Sequence, residues 1–160
     1  MPGQRWLIVL GAVFSAIGVG MGAIGAHALP DYLASQQSIK SSEAANSLLD
    51  TDPTKIDHIK IEKKLGNFEK GVRYQLFHAL AIVVIGLSPL SAQRLGLRIA
   101  AYWMAAGILL FSGGIYGTVF TTYPTHWIVP FGGLAFIVGW LWIGLTMVFY
   151  AEPMHVNELS

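Results

Sequence analysis

Long apolar stretches alternate with polar segments along the chain. No charged residue occurs between residues 6 and 26 or between residues 99 and 150. A helix needs about twenty apolar residues to cross a hydrocarbon core of about 30 Å, and in lipid the backbone must satisfy its own hydrogen bonds. The pattern therefore predicts an all-α polytopic membrane protein, a bundle of four transmembrane helices at about 6–27, 70–88, 98–120 and 127–150.

The first span has a second interpretation. Arg5, the apolar run and the triplet Ala26-His27-Ala28 resemble a signal peptide with its cleavage site. The run is longer than the roughly 7–15 apolar residues of such a signal, so we expect a transmembrane helix.

Residues 28–69 form an extramembrane insert between the first two spans of a single membrane domain, 1–160. Asp52-Pro53 is typical of a helix start. The apolar residues that follow recur at helical spacing: Ile61, Leu65, Phe68 and Val72. This predicts an amphipathic interfacial helix that leads into the second span, with a candidate break at Gly66-Asn67 and a linker over 35–51.

Composition agrees with a membrane protein. Hydrophobic residues make up 54% of the chain and charged residues 12%, about half the usual charged fraction of a soluble domain, and the mean hydropathy is +0.55. A net charge of +1 offers no basic surface for nucleic acid. The absence of cysteine excludes disulfides, cysteine-ligated iron–sulfur clusters and thiol catalysis.

Small residues recur within the spans and predict close helix packing. The candidate packing glycines are Gly18, Gly22, Gly25, Gly113, Gly132 and Gly133. Ala12, Ala16 and Gly20 form a second stripe on the first span. If the glycine stripe of the first span faces outward, it would contact a second copy or a larger membrane complex.

Polar residues near the spans are expected to converge in one leaflet, on the side of the insert. The predicted cluster comprises His27, Tyr74, Gln75, His78, Ser112 and Tyr116. An unpaired polar group in hydrocarbon costs several kcal/mol, so these side chains should find one another. The cluster is interpreted either as a hydrogen-bonded knot or as a ligand site.

As a ligand site, the cluster would bind a metal ion or haem through His27, His78 or His126, or it would hold a quinone or a lipid headgroup. No cofactor is predicted, and the lipid bilayer is the expected partner. No Asp or Glu lies inside a predicted span to relay protons, and Ser112 lacks a carboxylate to orient His78 as a base. We therefore expect a non-enzymatic structural or accessory protein, with redox or metal handling and small-molecule transport as alternatives.

Four segments carry a family resemblance: GAIGAHAL (22–29), YQLFHALA (74–81), LLFSGGIYG (109–117) and PFGGLAFIVGW (130–140). They resemble the signature segments of the YgdD-like family of small membrane proteins, domain of unknown function 423. The resemblance implies a four-helix protein of the bacterial plasma membrane and no particular activity. The matching positions are Gly22, Gly25, His27, Tyr74, Gln75, His78, Ser112, Gly113, Tyr116, Pro130, Gly132, Gly133 and Trp140.

The chain departs from the family pattern in two places. Residues 36–60 lengthen the first connection, and Gly114 stands where a second serine is common. The distribution of Lys and Arg supports two opposite orientations in the membrane. Seven of the ten Lys/Arg lie on the insert side, whereas Arg94 and Arg98 occupy a short loop without acids on the other side. Typical relatives concentrate positive charge beside the termini, so we expect cytoplasmic termini.

Overall fold

The computed structural model describes residues 2–44, 53–121 and 125–149, with side chains described at 4–36, 58–91, 94–121 and 125–149. Within these ranges the chain is almost entirely helical. The helices are α1 (Pro2–His27), α2 (Leu29–Ala44), α3 (Pro53–Leu87), α4 (Leu90–Gln93), α5 (Leu95–Gly107), α6 (Gly113–Phe120) and α7 (Val129–Phe149). A π-helical segment, Ile108–Ser112, joins α5 to α6, and a 3₁₀ turn, Thr125–Trp127, precedes α7.

Four helical stretches are long and apolar enough to cross a membrane: Gln4–His27, His58–Leu87, Leu95–Phe120 and Thr125–Phe149. The predicted all-α, four-span architecture is confirmed. The third span is nevertheless not a uniform α-helix, because the π-helical segment interrupts it. Nothing in the residue pattern signals that interruption, since a π turn uses the same apolar residues as an α turn.

The helices form a row in which α3 and α5 are central. Gly11 faces Val83 and Gly25 faces Phe68, so α1 and α3 run antiparallel. On the other side of the row, Gly139 of α7 lies against Met104 of α5. The apolar core lies between these helices and is built from Leu7, Ala79, Ile82, Ile85, Leu97, Ala101, Met104, Ala105, Ile108 and Phe136. α1 therefore packs mainly on α3, and α7 packs mainly on α5.

Helix α3 is continuous through the insert and the membrane. Its 35 residues extend over roughly 52 Å, well beyond a hydrocarbon core of about 30 Å. The candidate break at Gly66-Asn67 does not occur. Glycine costs about 1 kcal/mol in a helix interior, and burial of the neighbouring Phe68 side chain, which is 1% exposed, offsets more than that.

The apolar stripe of the insert has a protein partner. Ile61, Leu65 and Val72 pack around buried Leu29 and Leu33, so α2 lies against the outer part of α3. The linker predicted over 35–51 is wrong for residues 35–44, which belong to α2. The remainder of that linker, and the Asp52 cap, lie outside the described residues.

Candidate functional site

A chain of hydrogen bonds joins three helices through Gln75. The Tyr116 hydroxyl of α6 donates to Gln75 Oε1 at 2.9 Å. Gln75 Nε2 then donates to the carbonyl oxygen of Phe14 in α1 at 2.8 Å. Gln75 is only 2% exposed, so both ends of its amide are satisfied by protein rather than by water.

Ser112 makes a second link one turn away on α3. Its hydroxyl donates to the carbonyl oxygen of Gly71 at 2.8 Å and is fully buried. Because Gly71 and Gln75 are four residues apart, they share a face of α3. The structure therefore brings Gln75, Ser112 and Tyr116 together, and we call these three residues the helix-joining group.

Tyr74 and His78 lie on a different face of α3, toward α7. The indole Nε1 of Trp140 donates to His78 Nε2 at 3.2 Å, and His78 Nδ1 lies 2.8 Å from the carbonyl oxygen of Tyr74. Since Nε2 accepts a hydrogen bond, Nδ1 carries the proton and donates it. The His78 ring also stacks on Phe136, with 3.5 Å between the ring centroids. We call His78 and Trp140 the imidazole–indole pair.

Both ring nitrogens of His78 are thus engaged by protein atoms. A nitrogen that accepts a hydrogen bond from indole has no lone pair free for a metal ion until that bond breaks. Only the family resemblance points to Trp140 in the sequence, and its spacing from His78 gives no hint of this bond. The pairing depends on the angle at which α7 packs against α3, which sequence alone does not define.

His27 does not join either group. Its side chain is exposed and makes no hydrogen bond with the part of the chain whose side chains are described. Gly11 faces Val83 and Gly18 faces Leu76, so His78 is level with residue 16 of α1. That places His27 eleven residues, or about 16 Å, farther along the helix. His27 and His78 therefore cannot bind one ion in this arrangement.

The third metal candidate, His126, is exposed in the 3₁₀ turn before α7. No group of three or more His, Cys, Asp or Glu positioned to hold a metal ion occurs among the described residues. The predicted cluster of six is therefore divided into the helix-joining group, Tyr74 with the imidazole–indole pair, and an isolated His27.

Polar side chains also form hydrogen bonds at the end of the spans opposite the insert. His78 is level with the middle of the first span. At the opposite end, Gln4 Nε2 donates to the Ser88 carbonyl oxygen at 2.9 Å and lies 3.3 Å from the Ser91 hydroxyl. Thr146 is also buried in that half, 5% exposed. The sequence analysis does not consider these residues at the opposite span ends, although Gln4, Ser88 and Ser91 are evident in the sequence.

The predicted packing glycines differ in their surroundings. A Cβ on Gly18 would lie 2.8 Å from Leu76, and one on Gly25 would lie 2.9 Å from Phe68. Gly22 has ordinary contact with Val72 at 3.4 Å, and Gly132 lies tightly against the Phe111 backbone. Gly113 has nothing within 4 Å and Gly133 only a contact at 4.0 Å. Close contacts missed by the sequence analysis involve Gly11, Gly86, Gly96 and Gly107.

A cleft of about 650 Å³ separates α3 from α7 beyond their aromatic contact. Ile143 and Met147 of α7 form one wall, and Leu97 of α5 contributes to the lining. The α3 wall consists of Tyr74, Phe77, His78, Leu80, Ala81, Val84 and Ile85. Ser88, just beyond α3, and Trp140 of α7 complete the lining. The cleft exists because α7 packs mainly on α5, and the sequence carries no signal for it.

Four apolar helical spans that bury glycine contacts and polar hydrogen bonds between them define a polytopic integral membrane protein. Residues 21–133 match the family described as "Protein of unknown function (DUF423)". The chain belongs to this family, as the resemblance in its four segments indicated.

Relatives in several bacteria bear the name UPF0382 membrane protein. The chain is 31% identical to UPF0382 membrane protein YwdK of Bacillus subtilis over 149 residues, 92% of this chain and 99% of that protein. It is 31% identical to a Staphylococcus aureus relative over 139 residues, 86% of this chain and 91% of the relative. A Haemophilus influenzae relative is 36% identical over 87 residues, 54% of this chain and 69% of the relative. No solved structure matches.

Proposed function

We propose that this protein is a non-enzymatic structural or accessory component of the bacterial plasma membrane, which assembles with itself or with a larger membrane complex. One observation carries the proposal: several polar side chains inside the spans bind other helices. Gln75 and Tyr116 bind each other, Ser112 binds the α3 backbone, and His78 binds Trp140. Such bonds fix helix register, and they leave no convergent set of reactive groups among the residues that the structure describes.

The chemistry of the spans supports the same proposal. No Asp or Glu occurs between residues 70 and 151, so a proton relay through carboxylates lacks its usual groups. The Ser112 hydroxyl points its hydrogen at the Gly71 carbonyl rather than at His78. Nucleophilic catalysis by Ser112 would require a base within hydrogen-bond reach.

Assembly would use the outer face of α1. Gly18 and Gly25 face α3, so the glycine stripe points inward and does not provide the outer contact. The second stripe, Ala12, Ala16 and Gly20, is exposed, and no atom approaches within 4 Å of where a Gly20 Cβ would be. Small residues on an outer face let a second helix approach closely.

Site-specific photo-crosslinking in living cells tests the assembly. A photoreactive residue at Ala16 should give a discrete covalent adduct, whereas the same residue at Val148, a lipid-facing position of α7 that is 72% exposed, should give none. Adduct mass distinguishes a second copy from another protein. Absence of an adduct at Ala16, or equal adducts at both positions, would contradict assembly through α1.

Spectroscopy tests the non-enzymatic assignment against a histidine-bound cofactor. Protein purified from its own membranes should be colourless and lack stoichiometric metal. A Soret band or one metal ion per chain that disappears in His78→Ala, but persists in His58→Ala, would overturn the proposal. His58 is exposed near the outer part of α3 and serves as the matched control.

We further propose that both termini are cytoplasmic and that α2 and the outer part of α3 lie on the opposite side. The charges around Arg5, Arg94 and Arg98 support this orientation. Alkaline phosphatase fused to the C-terminus should be inactive, because the enzyme folds only outside the cytoplasm, and a green fluorescent protein fusion there should fluoresce. The reverse pattern would invert the topology.

A further inference from the structure

Two cations on α3 lie just before the residues that line the cleft between α3 and α7, on the side of the insert. Lys70 and Arg73 are both exposed. Neither side chain makes an ion pair or a hydrogen bond with the residues whose side chains are described. Lys70, Tyr74, Phe77 and Ala81 follow one another at spacings of three and four, so they share one face of α3. Arg73 lies one turn before Phe77 on the edge of that face.

The depth of Arg73 makes its lack of a protein partner significant. Val72 faces Gly22, so Arg73 is level with residue 21 of α1, six residues or about 9 Å inside His27. A cation at such a depth extends its side chain toward the surface and needs an anion or water there. An anionic lipid headgroup at the membrane surface would supply such an anion.

The cleft below continues the same path with apolar walls. It is about 650 Å³ in volume, within the range of roughly 300–1,000 Å³ typical of ligand pockets. Phe77, Ala81 and Val84 line it, and Ser88 marks its far end. The Tyr74 hydroxyl at the near end makes no hydrogen bond within the described part of the chain. A free donor thus lies between the two cations and the apolar walls.

We propose that this surface is a binding site for an anionic phospholipid. The phosphate lies between Lys70 and Arg73, an ester carbonyl accepts a hydrogen bond from Tyr74, and one acyl chain follows Phe77 and Ala81 into the cleft. The charged, hydrogen-bonding and apolar features occur in the order in which a phospholipid presents phosphate, ester and chain. A zwitterionic phospholipid would make the same apolar contact, but its electrostatic attraction to the two cations would be weaker.

Quenching of tryptophan fluorescence by lipid tests the site, since Trp140 lines the cleft. Replacing the other four tryptophans, all exposed (Trp6, Trp103, Trp127 and Trp142), with Phe leaves Trp140 as the reporter. The full-length protein is placed in vesicles of phosphatidylglycerol and phosphatidylcholine, with bromine on the acyl chains of one lipid at a time. Brominated phosphatidylglycerol should occupy the cleft with at least five-fold preference, since a cation near the surface contributes about five-fold.

Three changes should alter lipid binding at the site. Lys70→Gln with Arg73→Gln should make the two lipids quench equally, and raising the salt concentration should weaken the preference of the unmodified site. Ala81→Phe should fill the cleft and reduce quenching by both lipids. Lys63→Gln, an exposed cation seven residues before Lys70, should change nothing.

Equal quenching by the two brominated lipids in the starting protein would overturn the proposal. So would a preference that survives removal of Lys70 and Arg73 or that falls equally in Lys63→Gln. Displacement of brominated lipid by soluble glycerol phosphate would identify a site for a free anion instead. If the double variant fails to fold, the salt dependence of the starting protein decides between the outcomes, because a salt-independent preference would contradict binding through the cations.

Discussion

The Tyr116 hydroxyl donates to Gln75 Oε1 at 2.9 Å, and Gln75 Nε2 donates in turn to the Phe14 carbonyl oxygen at 2.8 Å. Two hydrogen bonds therefore couple α6, α3 and α1 at one depth of the membrane. Because Gln75 is at the centre, loss of either hydrogen bond leaves part of its amide without a partner. The helix-joining group should consequently contribute to stability as a unit.

Tyr116→Phe should lower the free energy of unfolding by about 1 kcal/mol, the usual contribution of a hydrogen bond between membrane helices. The matched control is Tyr102→Phe, because Tyr102 is 48% exposed and makes no side-chain hydrogen bond among the described residues. Unfolding by denaturing detergent, followed by circular dichroism, measures both. Equal losses in the two variants would show that the Tyr116 hydroxyl contributes nothing specific.

Gln75→Leu combined with Tyr116→Phe should show strong coupling. Removing both partners should cost less than the sum of the single losses, since Tyr116→Phe alone leaves Gln75 Oε1 unpaired in the interior. A double-mutant cycle from the same unfolding measurements gives the coupling energy. A cycle that closes at zero would mean that the 2.9 Å contact is not maintained in the membrane.

Gly132→Ala should destabilise the packing of α7 by about 1–3 kcal/mol. A Cβ there would meet the Phe111 backbone, which cannot rotate away as a side chain could. Gly113→Ala is the matched control, because nothing lies within 4 Å of the added carbon, and it should be neutral or slightly stabilising. Thermal unfolding in detergent compares the variants, and similar melting temperatures would contradict the close contact.

Gly11→Ala should separate α1 from α3 in the same way. The added Cβ would lie 2.7 Å from the carbonyl oxygen of Ala79 and 2.9 Å from the backbone nitrogen of Val83. Gly20→Ala lies on the same helix with open space around it and should be tolerated. Disulfide crosslinking between cysteines placed on α1 and α3 should slow in Gly11→Ala alone, and an unchanged rate would show that the helices do not meet there.

The imidazole–indole pair should fix the tautomer of His78. Nitrogen-15 spectra of histidine-labelled protein in bilayers should show Nδ1 protonated and Nε2 unprotonated, because Trp140 donates to Nε2. Trp140→Phe removes that donor and should shift the Nε2 resonance, whereas Trp142→Phe should leave it unchanged. A His78 signal with Nε2 protonated would contradict the assigned bonds.

The sequence predicted the spans well and the neighbours of their side chains poorly. The four spans follow from local composition, because a single apolar segment, such as α1 or α7, is enough to identify each one. The bond from Trp140 to His78 joins residues 62 positions apart, and its existence depends on the lean of one helix against another. Gly113 and Gly132 illustrate the same limit, since both looked like packing glycines and only Gly132 has a close neighbour.

The insert shows a second limit. The Ile61 and Leu65 stripe was recognised correctly as apolar, but its partner was expected to be the membrane surface. The structure supplies α2 instead, through Leu29 and Leu33. An amphipathic pattern shows that one helix face is apolar, but it does not show whether lipid or another helix packs against that face. The sequence therefore did not determine that α3 continues unbroken through this segment.

The π-helical segment Ile108–Ser112 determines which way α6 is turned. Each residue added to or removed from a helix swings everything beyond it by about 100° around the axis. Because a π turn takes up one more residue than an α turn, the same residues wound entirely as an α-helix would turn Ser112 and Tyr116 away from Gly71 and Gln75, although no polar group had been altered. The rotation of α6 about its own axis thus depends on how many residues the middle of the third span takes up, and so do the contacts that α6 makes.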